Sequence, residues 1–473
     1  MAQTQTAPGG EKLRWFVREK SFYRRFFSMM GLVALQNLLV FAVNLADNVM
    51  LGNFSEPALS GAALANQFQF LLQMLVMGVS EGASVLMARY WGQKNIGAIR
   101  KLTGMAMRMN LLVQLVMWGA VFFFPHQMLG MLTNDAAVLE EGVKYIRIVC
   151  FTYPLFTITS TLNLTLRSVE TAHLGFVTSA AALVINIGLN YALIFGNLGA
   201  PRLGSQGAAI ATLVARAAEL VIILCYIIFK DKKVRLKLRD SFTRDRELFR
   251  AYIRIGFPVL VSNGMWGVAQ MVQTGILGNM SATAIAANSV ATTIFQVVSV
   301  LVMGMGSPVA VIIGKTIGEG KQHKVKQYAV TLQIIFVAMG VLSGLLLFCV
   351  KDFIIGFYDL SPESRALAIQ FATVLSVTIV GTAYQAPCLT GIVRGGGDTS
   401  FVMKNDFIFQ WFIVLPASML AAFVFHAPPL VVFICLKSDQ ITKCAVAVVK
   451  VNRFRWIKSW GPKESKKPKP ESA

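Results

Sequence analysis

"LGNFSEPALSGAALANQFQFLLQMLVMG" at residues 51–78 and "LGNMSATAIAANSVATTIFQVVSVLVMG" at residues 277–304 begin and end on the same residues, 226 positions apart. At that offset Leu51-Gly52-Asn53 falls on Leu277-Gly278-Asn279, Val76-Met77-Gly78 on Val302-Met303-Gly304, Asn37 on Asn263 and Gly92 on Gly318. No gap is needed over about ninety residues. After a one-residue slip, Leu166-Arg167-Ser168 meets Val393-Arg394-Gly395. Self-similarity at one fixed period marks a duplicated structural unit. The chain therefore reads as two copies of one fold.

The copies are built from apolar runs. Of the 473 residues, 55% are hydrophobic and 14% charged, with mean hydropathy +0.60, whereas soluble domains carry about 25% charge. A bilayer core of about 30 Å takes about 20 apolar helical residues per crossing. Helices also satisfy their own backbone polar groups, as lipid requires. Runs of that length lie at Phe27–Leu51, Leu59–Ala88, Leu102–Phe124, Gly142–Leu166, Leu174–Leu198 and Gly207–Phe229. Six more follow at Ile253–Leu277, Ala282–Gly314, Tyr328–Val350, Ala366–Val393, Phe401–Phe425 and Leu430–Val449, the last only weakly apolar. The expected fold is an all-α membrane protein with twelve transmembrane helices in two parallel-repeat six-helix bundles.

Lys and Arg in the loops set the orientation, because positive residues stay cytoplasmic during insertion. One side holds Lys12, Arg14, Arg18, Lys20, Arg24 and Arg25, then Arg89, Lys94, Arg100 and Lys101, then ten basic residues between Lys230 and Arg254. The other side has little beyond Lys144, Arg147, Arg202, Lys351 and Arg365. The expected organisation is a cytoplasmic N-terminal segment (1–26), an N-lobe (27–229), a basic cytoplasmic linker (230–252), a C-lobe (253–449) and a basic cytoplasmic tail (450–473). The expected location is the inner membrane of a bacterium, multi-pass, with both termini cytoplasmic. The formal charge of +21 suggests no nucleic acid, since the basic residues are topological and lack interleaved aromatics. Six scattered cysteines and four scattered histidines form no metal pattern. Gly314-Lys315-Thr316 looks like the end of a phosphate loop, but Val309 stands where its first glycine belongs. No enzyme, and no cofactor beyond a coupling ion, is expected.

Four strings carry a resemblance: "NLADNVMLGN" (44–53), "GVSEGASVLMARYWGQKN" (78–95), "LRSVETAH" (166–173) and "NIGLNYALIFGNLGAPRLGSQGAAIAT" (186–212). In this order, with a degenerate second copy, they resemble the MATE family, the multidrug and toxic compound extrusion transporters, over about Phe22 to Trp456. The resemblance implies export of small organic, often cationic or amphiphilic, molecules in exchange for H⁺ or Na⁺, by alternating access of two bundles. A monomer in membrane lipid is expected. Rival expectations are a lipid-linked precursor flippase of the same superfamily and a membrane-embedded transferase. The first expects extra spans and a strongly cationic central cavity, the second an acid or histidine pair at an interface loop, and none of these is evident.

Asp47 is the leading candidate. A carboxylate inside a span costs several kcal/mol unless paired, protonated or facing a wet cavity. Asn186 and Asn190, at i and i+4, share one face of the fifth span, and Thr212 lies in the sixth. Counted from the helix ends at 1.5 Å per residue, Asp47, Asn190 and Thr212 fall within about 5 Å of one another in depth. Oxygens around one carboxylate suit a hard cation, and a desolvated aspartate also suits a proton. The resemblance points to the same four positions, with a second acid in the family pattern where Asn190 stands. It also implies, for the NorM branch, acids in the seventh and tenth spans. Here those stretches read "PVLVSNGMWGVAQ" and "TAYQAPCL", so the chain looks closer to the DinF branch. Asn37, Trp266, Gln270, Gln273, Tyr384 and Gln385 are read as cavity-lining candidates. Glu81 with Arg89 is read as a structural pair or a gate latch, and Arg216 with Glu219 as a mutual ion pair. Lys437 and Asp439 are expected to pair or to face the bundle interior.

Overall fold

The computed structural model describes residues 16–133, 135–236, 245–278, 280–358 and 361–458. The repeat residue Asn279 and most of the two outer segments of the chain lie outside them. Among the described residues the protein is helical and holds no strand. Ten helices are long and apolar enough to cross a membrane. They are Lys20–Phe54, Glu56–Gly92, Ile96–Phe123, His173–Phe195, Ser205–Phe229, Arg246–Leu277, Thr283–Gly318, Gln322–Ile355, Pro362–Val393 and Thr399–Val424. An eleventh span is the pair Ala136–Val149 and Thr152–Ser168, fourth in chain order and bent by 51°. Where the twelfth span is expected stand two short helices, Pro429–Lys437 and Asp439–Asn452, carrying Lys437, Asp439 and Lys443. Asp439 pairs with Lys443 at 3.2 Å, not with Lys437, whose ammonium lies 5.7 Å from the Phe433 ring centre.

Prolines explain the breaks, since each removes an N–H and crowds the carbonyl four residues back. Pro154 sits just past the bend of the fourth span, and Pro387 begins a π-helical stretch, Pro387–Val393. The eighth span is interrupted between Met303 and Gly306, within a Gly-Met-Gly-Ser-Pro run ending at Pro308. Its repeat mate, the second span, has Gly82 where Pro308 stands and runs unbroken.

In the first half the second span packs on the third and fourth, and the fifth on the first and sixth. In the second half the tenth packs on the eighth, ninth and twelfth. Two seams join the halves: the second span lies against the seventh and eighth, and the first against the eighth. The chain ends reach past their expected limits. The Val17 amide donates to Thr331 Oγ1 at 3.1 Å. Trp456 is fully buried, and the Lys458 amide donates to the Gly396 carbonyl at 3.0 Å, so residues 450–458 pack on the body and do not hang as a tail.

The seam is built of repeat-related contacts. A Cβ on Gly92 would land on the Lys315 carbonyl, and one on Gly318 would land on the Arg89 carbonyl. Positions 92 and 318, like 89 and 315, are 226 apart, so the two approaches are one contact seen twice. Gly82 likewise admits the Gly256 backbone, as small residues do where membrane helices approach closely. Arg89 donates to the Gly396 carbonyl at 3.2 Å, while Lys315 pairs with Glu170 at 2.7 Å. Glu170 also takes Arg25 at 3.4 Å and the Trp91 indole. Burial disfavours its charge, but Lys315, Arg25 and Trp91 together hold this loop carboxyl below the usual range. Glu81 pairs with Arg394 at 2.7 Å and accepts from Asn263 at 3.3 Å. The expected pairing of Glu81 with Arg89 is thus corrected: eight positions apart on one helix, they do not meet, and each crosses to the other half.

Gly318→Val, which overpacks the seam at a cost of about 1–3 kcal/mol, is expected to loosen it. In a background cleared of exposed cysteines, maleimide should label Ala172→Cys, a buried seam position, about tenfold faster when Gly318→Val is added. Unchanged labelling would show that the seam does not depend on this approach.

Candidate functional site

Asp47 is buried, 8% exposed, and is the one acidic residue of the first helix, Lys20–Phe54. The fifth span, packed along the first, presents Asn190 and Asn186 to it. Asn190 Nδ2 donates to Asp47 Oδ1 in a short hydrogen bond and to Asn186 Oδ1 at 3.1 Å. Asn186 Nδ2 donates to Thr212 Oγ1 at 3.4 Å, and that hydroxyl donates to the Ala208 carbonyl at 3.0 Å. Both asparagines are fully buried. The structure thus brings the four residues into one chain, from the carboxylate across the fifth helix to the sixth.

One oxygen in this chain lacks a donor. Asn190 Oδ1 is buried without a hydrogen-bond partner, a state that costs about 1–3 kcal/mol. An acceptor aimed at no donor, beside a carboxylate, offers what a cation or a protonated acid needs. Two groups the sequence did not single out complete the surround: Tyr145, buried in the fourth span, lies with its hydroxyl beside Asn66 and Thr212. They stand on the fourth and second spans, and nothing in their local spacing announces the meeting.

A cavity of about 20 Å³ adjoins the site, lined by Val40, Val43, Ser179, Asn186, Thr212, Arg216 and Glu219 among others, which is room for about one water. Arg216 pairs with Glu219 at 2.7 Å as expected, and its guanidinium lies 5.5 Å from the Phe156 ring centre. Thr212, Arg216 and Glu219 recur at i, i+4 and i+7, so the polar stripe continues down one face of the sixth helix.

The cavity candidates differ in exposure. Trp266 is 43% exposed, Asn37, Gln270 and Gln385 are half-buried, and Gln273 is buried. Tyr384 is not a free wall: it is buried in the second half and donates to Gln333 Oε1 at 2.7 Å, with Asn452 at 3.3 Å from the same oxygen.

Comparison with known proteins agrees with this architecture. A probable multidrug resistance protein NorM of Thermotoga maritima is 23% identical over 427 residues, covering 89% of this chain and 90% of the relative. A mutant of the Vibrio cholerae MATE transporter VcmN superposes with TM-score 0.83 at 15% identity, over 92% of this chain and 97% of that one. A MOP superfamily transporter from Pyrococcus furiosus gives TM-score 0.82 at 16% identity, over 92% and 95%. The family model MatE matches residues 33–192 and 258–420, one block in each repeat. With both halves matched and the fold shared, the chain belongs to the MatE family.

Proposed function

We propose that this protein is a cation-coupled multidrug efflux transporter. It exports small organic, cationic or amphiphilic compounds by alternating access, with Asp47, Asn186, Asn190 and Thr212 holding the coupling H⁺ or Na⁺. The observation that carries this reading is the buried Asn190 Oδ1 without a donor beside the buried Asp47 carboxylate. Relatives named multidrug resistance protein support the cargo class.

The chemistry follows from where the charge sits. With Asp47 ionised, one negative charge lies in hydrocarbon, hydrogen-bonded to the Asn190 amide and offset in part by Arg216, which Glu219 already pairs. A proton or Na⁺ arriving from outside removes that cost and draws the Asn190 oxygen inward. The first helix repacks against the fifth, the N-lobe space beside Thr212 shrinks, and cargo leaves outward. Opening of the basic, cytoplasmic end then releases the cation. A second acid at position 190 would strengthen the field on Na⁺; the amide there leaves a proton equally well served.

Asp47→Asn keeps the shape and removes the titrating charge. In proteoliposomes it is expected to cut gradient-driven ethidium efflux about tenfold or more, with Na⁺ and pH gradients imposed separately. Intact efflux in this variant, or wild-type efflux indifferent to both gradients, sinks the reading. Asn190→Asp adds a charge within a few ångströms of Asp47, an effect of order kcal/mol. It should lower the half-saturating Na⁺ concentration for efflux about tenfold, and no change would place the coupling ion elsewhere.

A further inference from the structure

The repeat exposes a missing acid. Arg167 and Arg394 end the fourth and tenth spans as repeat mates, and each reaches across the seam to the other half. Arg394 meets Glu81; Arg167 meets Ser307, with Nη1 3.5 Å from Oγ. Position 307 is 81 plus 226, so a serine stands in one copy where the acid stands in the other. The remaining partner of Arg167 is also neutral: Nη2 donates to Gln36 Oε1 at 2.8 Å. This layer therefore holds two guanidiniums and one carboxylate. A guanidinium has five N–H donors and a fork matched to carboxylate, and Arg167 has only neutral acceptors on it.

The layer faces one way. The contacts of Arg89 with Gly396, Lys315 with Glu170, and the Gly92 and Gly318 approaches close the seam on the side of the chain termini. Arg89 and Lys315 each lie eight residues beyond positions 81 and 307, about 12 Å along their helices. Arg167, Gln36, Ser307 and Glu81 are nonetheless only half-buried. With the terminal side shut beneath them, that exposure opens to the space between the halves above.

We propose that Arg167, with Gln36 and Ser307, is a subsite for the carboxylate of a zwitterionic or anionic cargo at the floor of this space. The proposal deepens the efflux reading and rests on it for the word cargo. Bidentate Arg–carboxylate bonding gives such a cargo an anchor that a plain cation lacks.

The test compares norfloxacin, which carries a carboxylate and an ammonium, with its methyl ester, which keeps the ammonium alone. Binding to the purified full-length protein is read by drug fluorescence, and efflux in proteoliposomes. Wild type should bind the acid at least tenfold more tightly than the ester. Ser307→Glu, which supplies the acid missing from the second copy, should erase that preference while shifting the ester less than twofold. Arg167→Lys keeps the charge but not the fork and should retain part of the preference. Equal binding of the two drugs to wild type overturns the assignment, as does a parallel loss of both in Ser307→Glu, which marks a structural role. Should wild type prefer the acid in binding yet export neither drug under any gradient, the efflux reading falls and the subsite stands.

Discussion

Hydrocarbon offers no hydrogen-bond partner, and that constraint fixes where every polar group of this protein can go. Helices settle the backbone. Polar side chains are left with the bundle interiors, such as the first, where Asp47, Asn190, Asn186 and Thr212 form one chain, or the second, where Lys443 meets Asp406 and Asp439, and with the seam between bundles, where Glu81, Arg394, Arg167 and Glu170 meet groups far away in sequence. Isolated charges in either place are costly. Asn190 Oδ1, which lacks a donor, and Arg167, whose hydrogen-bond acceptors are both neutral, are thus groups with bonding capacity left over.

Duplication explains the seam and also its asymmetry. Two identical bundles related by an axis along the membrane normal would meet in two equal contacts, and the paired glycine approaches at 92 and 318 retain that equality. The side chains above them have diverged. Glu81 is the centre of an ion pair where its mate Ser307 is neutral, and Lys315 meets an acid in Glu170 where Arg89 meets a backbone carbonyl. Breaking a buried ion pair leaves an uncompensated charge, a cost of several kcal/mol. Each side of the seam keeps one ion pair, Glu81 with Arg394 on one and Lys315 with Glu170 on the other, at different depths along the helices.

Much of this was legible in the residues, for physical reasons. Apolar run length is set by bilayer thickness, so the spans could be counted. The i, i+4 spacing of Asn186 and Asn190 and a count along each helix placed them at the depth of Asp47, because helical rise is constant. What failed were pairings that a helix cannot announce. Glu81 and Arg89 share a helix and invited each other, yet the partner of Glu81 lies 313 positions away. Lys437 and Asp439 are neighbours in sequence, but residues two apart face different ways on a helix, and Asp439 reaches Lys443 one turn on. Tyr384 reads as an aromatic wall until Gln333 of the ninth span is seen to take its hydroxyl.

The first helix ties the regions together. Arg25, which reaches Glu170 in the seam, Gln36, which holds Arg167, and Asp47 stand at intervals of eleven residues on one continuous helix. Eleven residues are close to three whole turns, so the three side chains project to nearly the same side, about 16 Å apart. One rod thus presents a group to the latch, a group to the floor and the carboxylate of the proposed cation site. A rotation that re-aims Asp47 when its charge is neutralised must turn Gln36 away from Arg167 and Arg25 away from Glu170, unless the helix bends between them. Because the helix carries no proline or other break along that length, the rigid alternative is the simpler one. Coupling in the proposed cycle then needs no separate relay: the same helix that feels the cation carries the hydrogen bond that positions the guanidinium for cargo.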